Sequence, residues 1–302
     1  QFQPLFYQVA MANLDASNIS FPLRNIFEKS NNIRIRLTTV NKINTLKNEV
    51  VTLSGTIKYD YLVIATGACT NYFGNTELES NVFSMKSTYE ALQIRNTLLQ
   101  HFEDAITANN ANIKKLLSVV IVGGGPTGVE LSGALAEMKT DSLPLEYPEL
   151  NFDDMKIYLL EGTGKLLASM SETSSKKAKE YLQNLGVTVM LNTIVKEYDG
   201  KQILLHDGSV IESTFVIWAA GVKGNIPKGI NREYISKSSQ IKTDIFNRVI
   251  NIPNVFALGD VAIIESDQNP KGFPQLASVA IDQSKNLANN FENIAETNDN
   301  SI

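Results

Sequence analysis

Between positions 123 and 128 the chain reads Gly123-Gly124-Gly125-Pro126-Thr127-Gly128, a G-x-G-x-x-G spacing at positions 123, 125 and 128. Ahead of it, Leu116 to Val122 is an unbroken apolar run of strand length. Behind it, Pro126 opens a helical pattern that continues to about Lys139. A strand, a glycine turn and a helix in that order make half of a βαβ unit, which commits the chain to an α/β fold with a parallel sheet. Each glycine has its own reason. The first permits the tight turn, the second lets the backbone approach a pyrophosphate, and the third lets helix and strand pack closely, so that amides and helix dipole together hold an anion. The bland alternative is a glycine-rich turn without a ligand; the flanking strand and helix favour dinucleotide binding.

The remaining chain, 302 residues and 43% hydrophobic, is long enough for two domains. Ile33 to Leu37 alternates apolar and polar residues and is expected to be a strand of an antiparallel layer, as is part of 50–59. Tyr61 to Ala65 reads as a fully buried strand ending at Thr66-Gly67. Ser87 to Ala108 carries Ala91, Ile94, Leu98 and Phe102 at helical spacing and is expected to link the two domains. Residues 140–154 read as an inserted surface loop before the strand Lys156 to Glu161. A helix near 173–185 closed by Gly186, strands near 187–191, 194–198 and 202–206 that lead through the Asp207-Gly208 turn, and the strand Phe215 to Ala219 complete that unit. Val255 to Leu258 is a further buried strand, and Pro274 to Phe291 a closing amphipathic helix.

A net charge of −5 without basic blocks offers no footprint for nucleic acid. One cysteine, Cys69, supplies neither a disulfide nor a dithiol redox pair. No apolar run reaches the roughly 20 residues of a membrane-spanning helix. His101 and His206 stand apart from other ligand types, so no metal is expected. Trp218 reads as core or as the wall of a pocket.

Several acids invite a chemical reading. Glu161 ends the strand after the glycine helix, where a carboxylate binds the ribose 2′-hydroxyl of NAD and repels a 2′-phosphate; the bland reading is an exposed glutamate. Glu130, two residues past Gly128, is either an acid stabilised in the first helical turn by the dipole or a group that orients a nicotinamide carboxamide. Gly259-Asp260 stands at the carboxyl end of a buried strand, the place where open α/β sheets put ligands; it is either a structural turn or a grip on a ribityl hydroxyl. Ala65-Thr66-Gly67 and Ala219-Ala220-Gly221 are strand-end turns of similar build, which suggests two related nucleotide domains.

Taken together, Tyr61 to Gly67, Val119 to Glu137, the turn at 219–221 and Val255 to Asp260 resemble the two-dinucleotide-binding-domain flavoproteins. Phe2 to Ala10, Gly123 to Leu131 and Pro274 to Ala277 bring the sequence nearest, within that family, to type II NADH dehydrogenases. The resemblance implies two Rossmann-like domains, the NAD domain inserted in the FAD domain and the first FAD-binding part incomplete. Residues 1–115, with the helix 87–108, would form the first part of the FAD domain, 116–235 the NAD(H) domain and 236–302 the second FAD part. FAD would lie against Ala65, Thr66, Gly67, Gly259, Asp260, Gln275, Leu276 and Ala277. NADH would use Gly123, Gly125, Thr127, Gly128, Glu130, Glu161, Ala220 and Gly221, with Glu130 as the catalytic candidate. Hydride would pass from nicotinamide to flavin and electrons then to a quinone, without proton pumping, the cofactors carrying the chemistry. A helix beginning near Pro274 would aim its positive end at the flavin.

The family's first FAD-binding βαβ unit would precede Gln1, and a membrane anchor would follow Phe291. The chain is therefore expected to be a fragment that holds FAD weakly or not at all. The complete protein is expected to be cytoplasmic, peripheral to the inner face of the cell membrane, with a homodimer left open. Ser278 and Asp282 occupy places where the family carries quinone-lining glutamines, and are the quinone-site candidates, with Gln283 one step on. A soluble flavin reductase of the ferredoxin-reductase type and a non-turnover NAD(H) sensor or inactive fragment are the competing readings.

Overall fold

Strand Ser118–Val122 is buried along its whole length because it is paired on both sides. Phe215–Trp218 flanks it on one side and Lys156–Leu160 on the other. Thr188–Met190 and Phe83–Ser84 form the edges of this five-stranded sheet, in which every pairing is parallel. The two-residue side-chain period of a strand sorts the central residues between two cores. Val119 and Ile121 enter the core shared with the helices, while Val120 and Val122 face a second core closed by the antiparallel strands Val195–Tyr198, Gln202–Leu205 and Val210–Glu212. Each such fully buried aliphatic side chain is worth about 1.5–3 kcal/mol. The fold class is thus the α/β arrangement with a parallel sheet that the glycine turn implies.

The computed structural model describes residues 1–297. They form two units, Gln1–Glu28 with Thr70–Gly221, and Lys29–Cys69 with Val222 onward, so the first unit interrupts the second. These divisions differ from the boundaries at 115/116 and 235/236 read from the sequence. The reason is packing: Phe6, Val9 and Ala10 share the core of Ile94, Leu98 and Phe102, and that core is also the one under the parallel sheet. The helix expected to link two domains runs Thr88–Thr107, capped by Ser87, with both ends inside the first unit. Residues 140–154 are also more than a surface loop. Leu143, Leu150 and Phe152 are buried in the same core, and their irregular spacing among prolines and acids hid this.

In the second unit, Leu62–Ile64 pairs in parallel with Val255–Ala257. Ile64 joins Val255, Ala257 and Ile43 in a core, whereas Val63 on the other face of the strand is 40% exposed. The expectation of a fully buried strand at Tyr61 to Ala65 therefore fails, since a continuous apolar run does not reveal which of its faces is covered. Strands Val40–Asn44, Glu49–Thr52 and Gly55–Lys58 form an antiparallel meander. Ile33 to Leu37 forms no strand, and Leu37 is 97% exposed; alternation without a pairing partner leaves backbone groups to water. The closing helix is Ala277–Thr297, beginning three residues after the expected Pro274. Among the described residues no helix is long and apolar enough to cross a membrane.

Candidate functional site

The carboxyl ends of the central strands of the first unit open onto a cavity of about 660 Å3, within the range of ordinary ligand sites. Its floor is the glycine turn. Gly123 has φ +114°, and a Cβ there would stand 2.7 Å from the Ala219 carbonyl carbon and the Ala220 amide nitrogen, so only glycine passes between the neighbouring strand ends. At Gly128 a Cβ would overlap the Gly123 carbonyl oxygen, which is the close strand–helix approach expected of the third glycine. Gly125 is different. Its φ is −75°, and a Cβ there would meet nothing within 4 Å; the space it leaves free belongs to the cavity.

Gly125 is also the N-cap of helix Pro126–Asp141, and no side chain caps that end. The free amides after Pro126, at the positive dipole end of a 16-residue helix, thus begin beside Gly125, which lines the cavity. Thr127 is half-buried beside them. A helix end left without a side-chain cap, with open space at Gly125, has free donors of the kind that suit an anion.

Glu161 lines the same cavity. One of its carboxylate oxygens accepts from the Gly124 amide at 2.6 Å and the other from the Thr163 amide at 2.7 Å. The acid therefore braces the glycine turn, a task the sequence did not suggest, and each oxygen retains a lone pair for a further donor. Ala219, Ala220 and Gly221 line the opposite end, Gly221 with φ +78°. Trp218 is 5% exposed, donates to the Asn71 and Ala220 carbonyls, and is both core and cavity wall. Tyr72, Phe73, Lys196 and His206 line the cavity without having been foreseen; each comes from a segment distant in sequence, and no motif signals it.

Glu130 departs from its expected setting. It is the fifth residue of its helix, beyond the first turn, and it lines none of this cavity. Its carboxyl has no hydrogen-bond or ion-pair partner among the described residues. The side chain is exposed overall, yet the protein around the carboxyl desolvates it and pushes its pKa up. Dipole stabilisation would act in the opposite direction, so it does not account for this acid.

In the second unit, Gly259 (φ +72°) and Asp260 follow the strand Val255–Ala257 in a short turn. Three glutamines hold that turn. Gln283 accepts from the Gly259 amide at 2.7 Å, Gln275 donates to the Asp260 carbonyl at 2.8 Å, and Gln240 donates to the Asp260 and Ala262 carbonyls. The half-buried Asp260 carboxylate has no partner among the described residues. Thr66 and Gly67 form a matching turn, in which the Thr66 hydroxyl donates to the Asn225 carbonyl at 2.6 Å and the Gly67 carbonyl accepts from the Asn225 amide. Ala65, Thr66, Leu276 and Ala277 are exposed. Ser278 and Asp282 are exposed as well, one turn apart on the closing helix, while the neighbouring Gln283 faces inward. Gln283 and Gln240 were missed as anchors, since a buried amide of this kind has no sequence spacing of its own.

Comparisons with known proteins bear on the family of the chain. A family model described as pyridine nucleotide-disulphide oxidoreductase matches residues 2–284. The type II NADH:quinone oxidoreductase Ndh of Mycobacterium tuberculosis is 32% identical over 96% of this chain and 64% of its own length. A probable NADH dehydrogenase of Dictyostelium discoideum is 32% identical over 99% of this chain and 67% of its own. Among solved structures, NDH2 from Plasmodium falciparum in complex with NADH superposes with a TM-score of 0.80 at 26% identity, over 87% of this chain and 57% of that one. The chain thus spans about two thirds of the length of these curated relatives. With Cys69 as its single cysteine, the sequence has no thiol pair for the disulphide of the family's description. A parallel sheet whose glycine turn opens an uncapped helix end, in a sequence matched almost throughout, places the chain in the pyridine nucleotide-disulphide oxidoreductase family.

Proposed function

We propose that this chain is the nucleotide-handling part of an FAD-dependent oxidoreductase that takes hydride from NADH and delivers electrons to a quinone, without proton pumping. The observation that carries the reading is the open cradle at Gly125, an uncapped helix end facing a cavity that Glu161 also lines. In this reading the helix amides hold the pyrophosphate of NADH, and Gly125 stays glycine to let it in. The Glu161 carboxylate, oriented by Gly124 and Thr163, accepts the ribose hydroxyls and repels a 2′-phosphate, which selects NADH over NADPH. The nicotinamide end then falls at Ala219, Ala220 and Gly221. Glu130 lies outside the lining of this cavity, so it is the candidate to hold the carboxamide where the nicotinamide extends beyond that lining.

Asp260 fits a ribityl hydroxyl, since its carboxylate is unpartnered and its backbone is fixed by Gln240, Gln275 and Gln283. Gly67, where a Cβ would meet nothing within 4 Å, leaves the matching turn open to a flat ligand. FAD, when bound there, supplies the carrier that accepts a hydride and releases electrons singly or in pairs. No side-chain nucleophile is called for; the protein's part is to bind, orient and exclude water. The quinone is apolar, so the complete protein is proposed to work against the inner face of the cell membrane, and Ser278 and Asp282 are the candidates near its entry. Steady-state oxidation of NADH by the full-length protein with a short-chain quinone tests the reading. Turnover that depends on both FAD and quinone is expected; NADH oxidation sustained by a protein acceptor but not by quinones would overturn it.

A further inference from the structure

We infer that Phe73 contacts the bound nucleotide and covers its nicotinamide end. Phe73 adopts φ +53°, a left-handed conformation that is an outlier for a bulky L-residue, and Gly74 follows at +82°. The turn itself is well determined: the Phe73 amide donates to the Asn71 side chain at 2.9 Å, the Asn71 amide donates to the Gly221 carbonyl, and the Asn71 carbonyl accepts from Trp218. A glycine at position 73 would meet the demands of that turn without strain. Burial does not explain the phenylalanine either, because its side chain is 69% exposed.

What the ring does touch is Gly221, where a Cβ would lie 2.9 Å from the Phe73 Cζ. Phe73 and Gly221 both line the cavity, and Gly221 follows the strand on the opposite side of Ser118–Val122 from the strand that leads to Glu161. Given that NADH lies across the glycine turn with its adenine ribose at Glu161, a reading on which this inference rests, the nicotinamide reaches the Phe73 end. A strained, exposed aromatic ring over a ligand cleft is strain kept for binding rather than for folding. A planar nicotinamide is the group whose face such a ring fits.

Calorimetric titration of the chain and of Phe73→Gly, with NADH and with ADP-ribose, tests the assignment alongside thermal unfolding. Phe73→Gly is expected to unfold no earlier than the parent and to bind NADH about ten-fold more weakly, the factor carried by an aromatic contact of about 1.4 kcal/mol. ADP-ribose, which lacks the nicotinamide, is expected to bind both proteins equally. Unchanged NADH affinity, or equal weakening of NADH and ADP-ribose, would overturn the inference. So would an earlier unfolding transition with binding intact, since Phe73 would then serve the fold. If the parent binds neither ligand, the NADH reading of the cleft itself fails, a result distinct from the failure of Phe73 alone.

Discussion

Gly125→Ala and Gly128→Ala add the same methyl group three residues apart, yet the structure expects opposite consequences. At Gly128 the new Cβ overlaps the Gly123 carbonyl oxygen, and both atoms belong to backbone fixed by the sheet and by the helix. Relief requires separating helix Pro126–Asp141 from strand Ser118–Val122, an overpacking cost of about 1–3 kcal/mol, with backbone against backbone at the upper end. For a unit of this size that lowers the unfolding midpoint by about 6–12 °C, at about 2–4 °C per kcal/mol. At Gly125 the φ of −75° suits alanine and the Cβ enters open space. Stability should stay within about 0.5 kcal/mol of the parent. The methyl group then occupies the room proposed for the pyrophosphate, and a clash of about 1–3 kcal/mol there weakens NADH by roughly five- to 150-fold. Thermal unfolding and quenching of Trp218, the single tryptophan and a wall of the cleft, read the two effects on one sample. Undiminished NADH affinity in Gly125→Ala would refute the cradle. A parent-like midpoint in Gly128→Ala would refute the close helix–strand packing.

Replacing Glu161 by Arg should weaken NADH and improve NADPH, and should also cost about 1–3 kcal/mol, because the Gly124 and Thr163 amides lose their acceptor; unchanged cofactor preference with full stability would reject both roles. Glu130→Gln removes a carboxylate that burial disfavours, so thermal stability at neutral pH should hold or rise while reduction of the bound flavin slows; an equal rate would leave Glu130 without a part in the reaction. His101, edge-on to Phe215, is held below its usual 6.5 by burial. The unfolded chain then binds the extra proton first, and stability should fall as pH drops through the interval below 6.5. His101→Phe should flatten that fall, which thermal scans on either side of about pH 6.5 would show; a slope that survives the substitution would assign it to other groups.

The parts of this molecule that were legible in its sequence are those that local backbone geometry sets. Gly123 and Gly128 stand at a tight turn and a close crossing that only glycine meets, and Gly125 between them leaves open space that the proposed pyrophosphate would use. Glu161 was legible because its place at the end of the second strand follows from the same unit. The cleft's remaining walls were not. Phe73, Lys196 and His206 arrive from a turn and from antiparallel strands whose positions depend on tertiary packing. Phe6 and Val9 gave no sign of their core partners, since a five-residue helix has too short a period to specify a face. The failure at Ile33 to Leu37 has the same origin, because alternation describes a strand's faces and says nothing of the partner that makes it a strand.

The most direct test is the visible spectrum of the protein supplied with FAD, recorded without oxygen before and after NADH and then after a soluble quinone. The account predicts a bound flavin absorbance that NADH bleaches and the quinone restores. A bound flavin whose absorbance NADH leaves unchanged, although NADH still quenches Trp218, would contradict hydride transfer and leave only a nucleotide-binding protein.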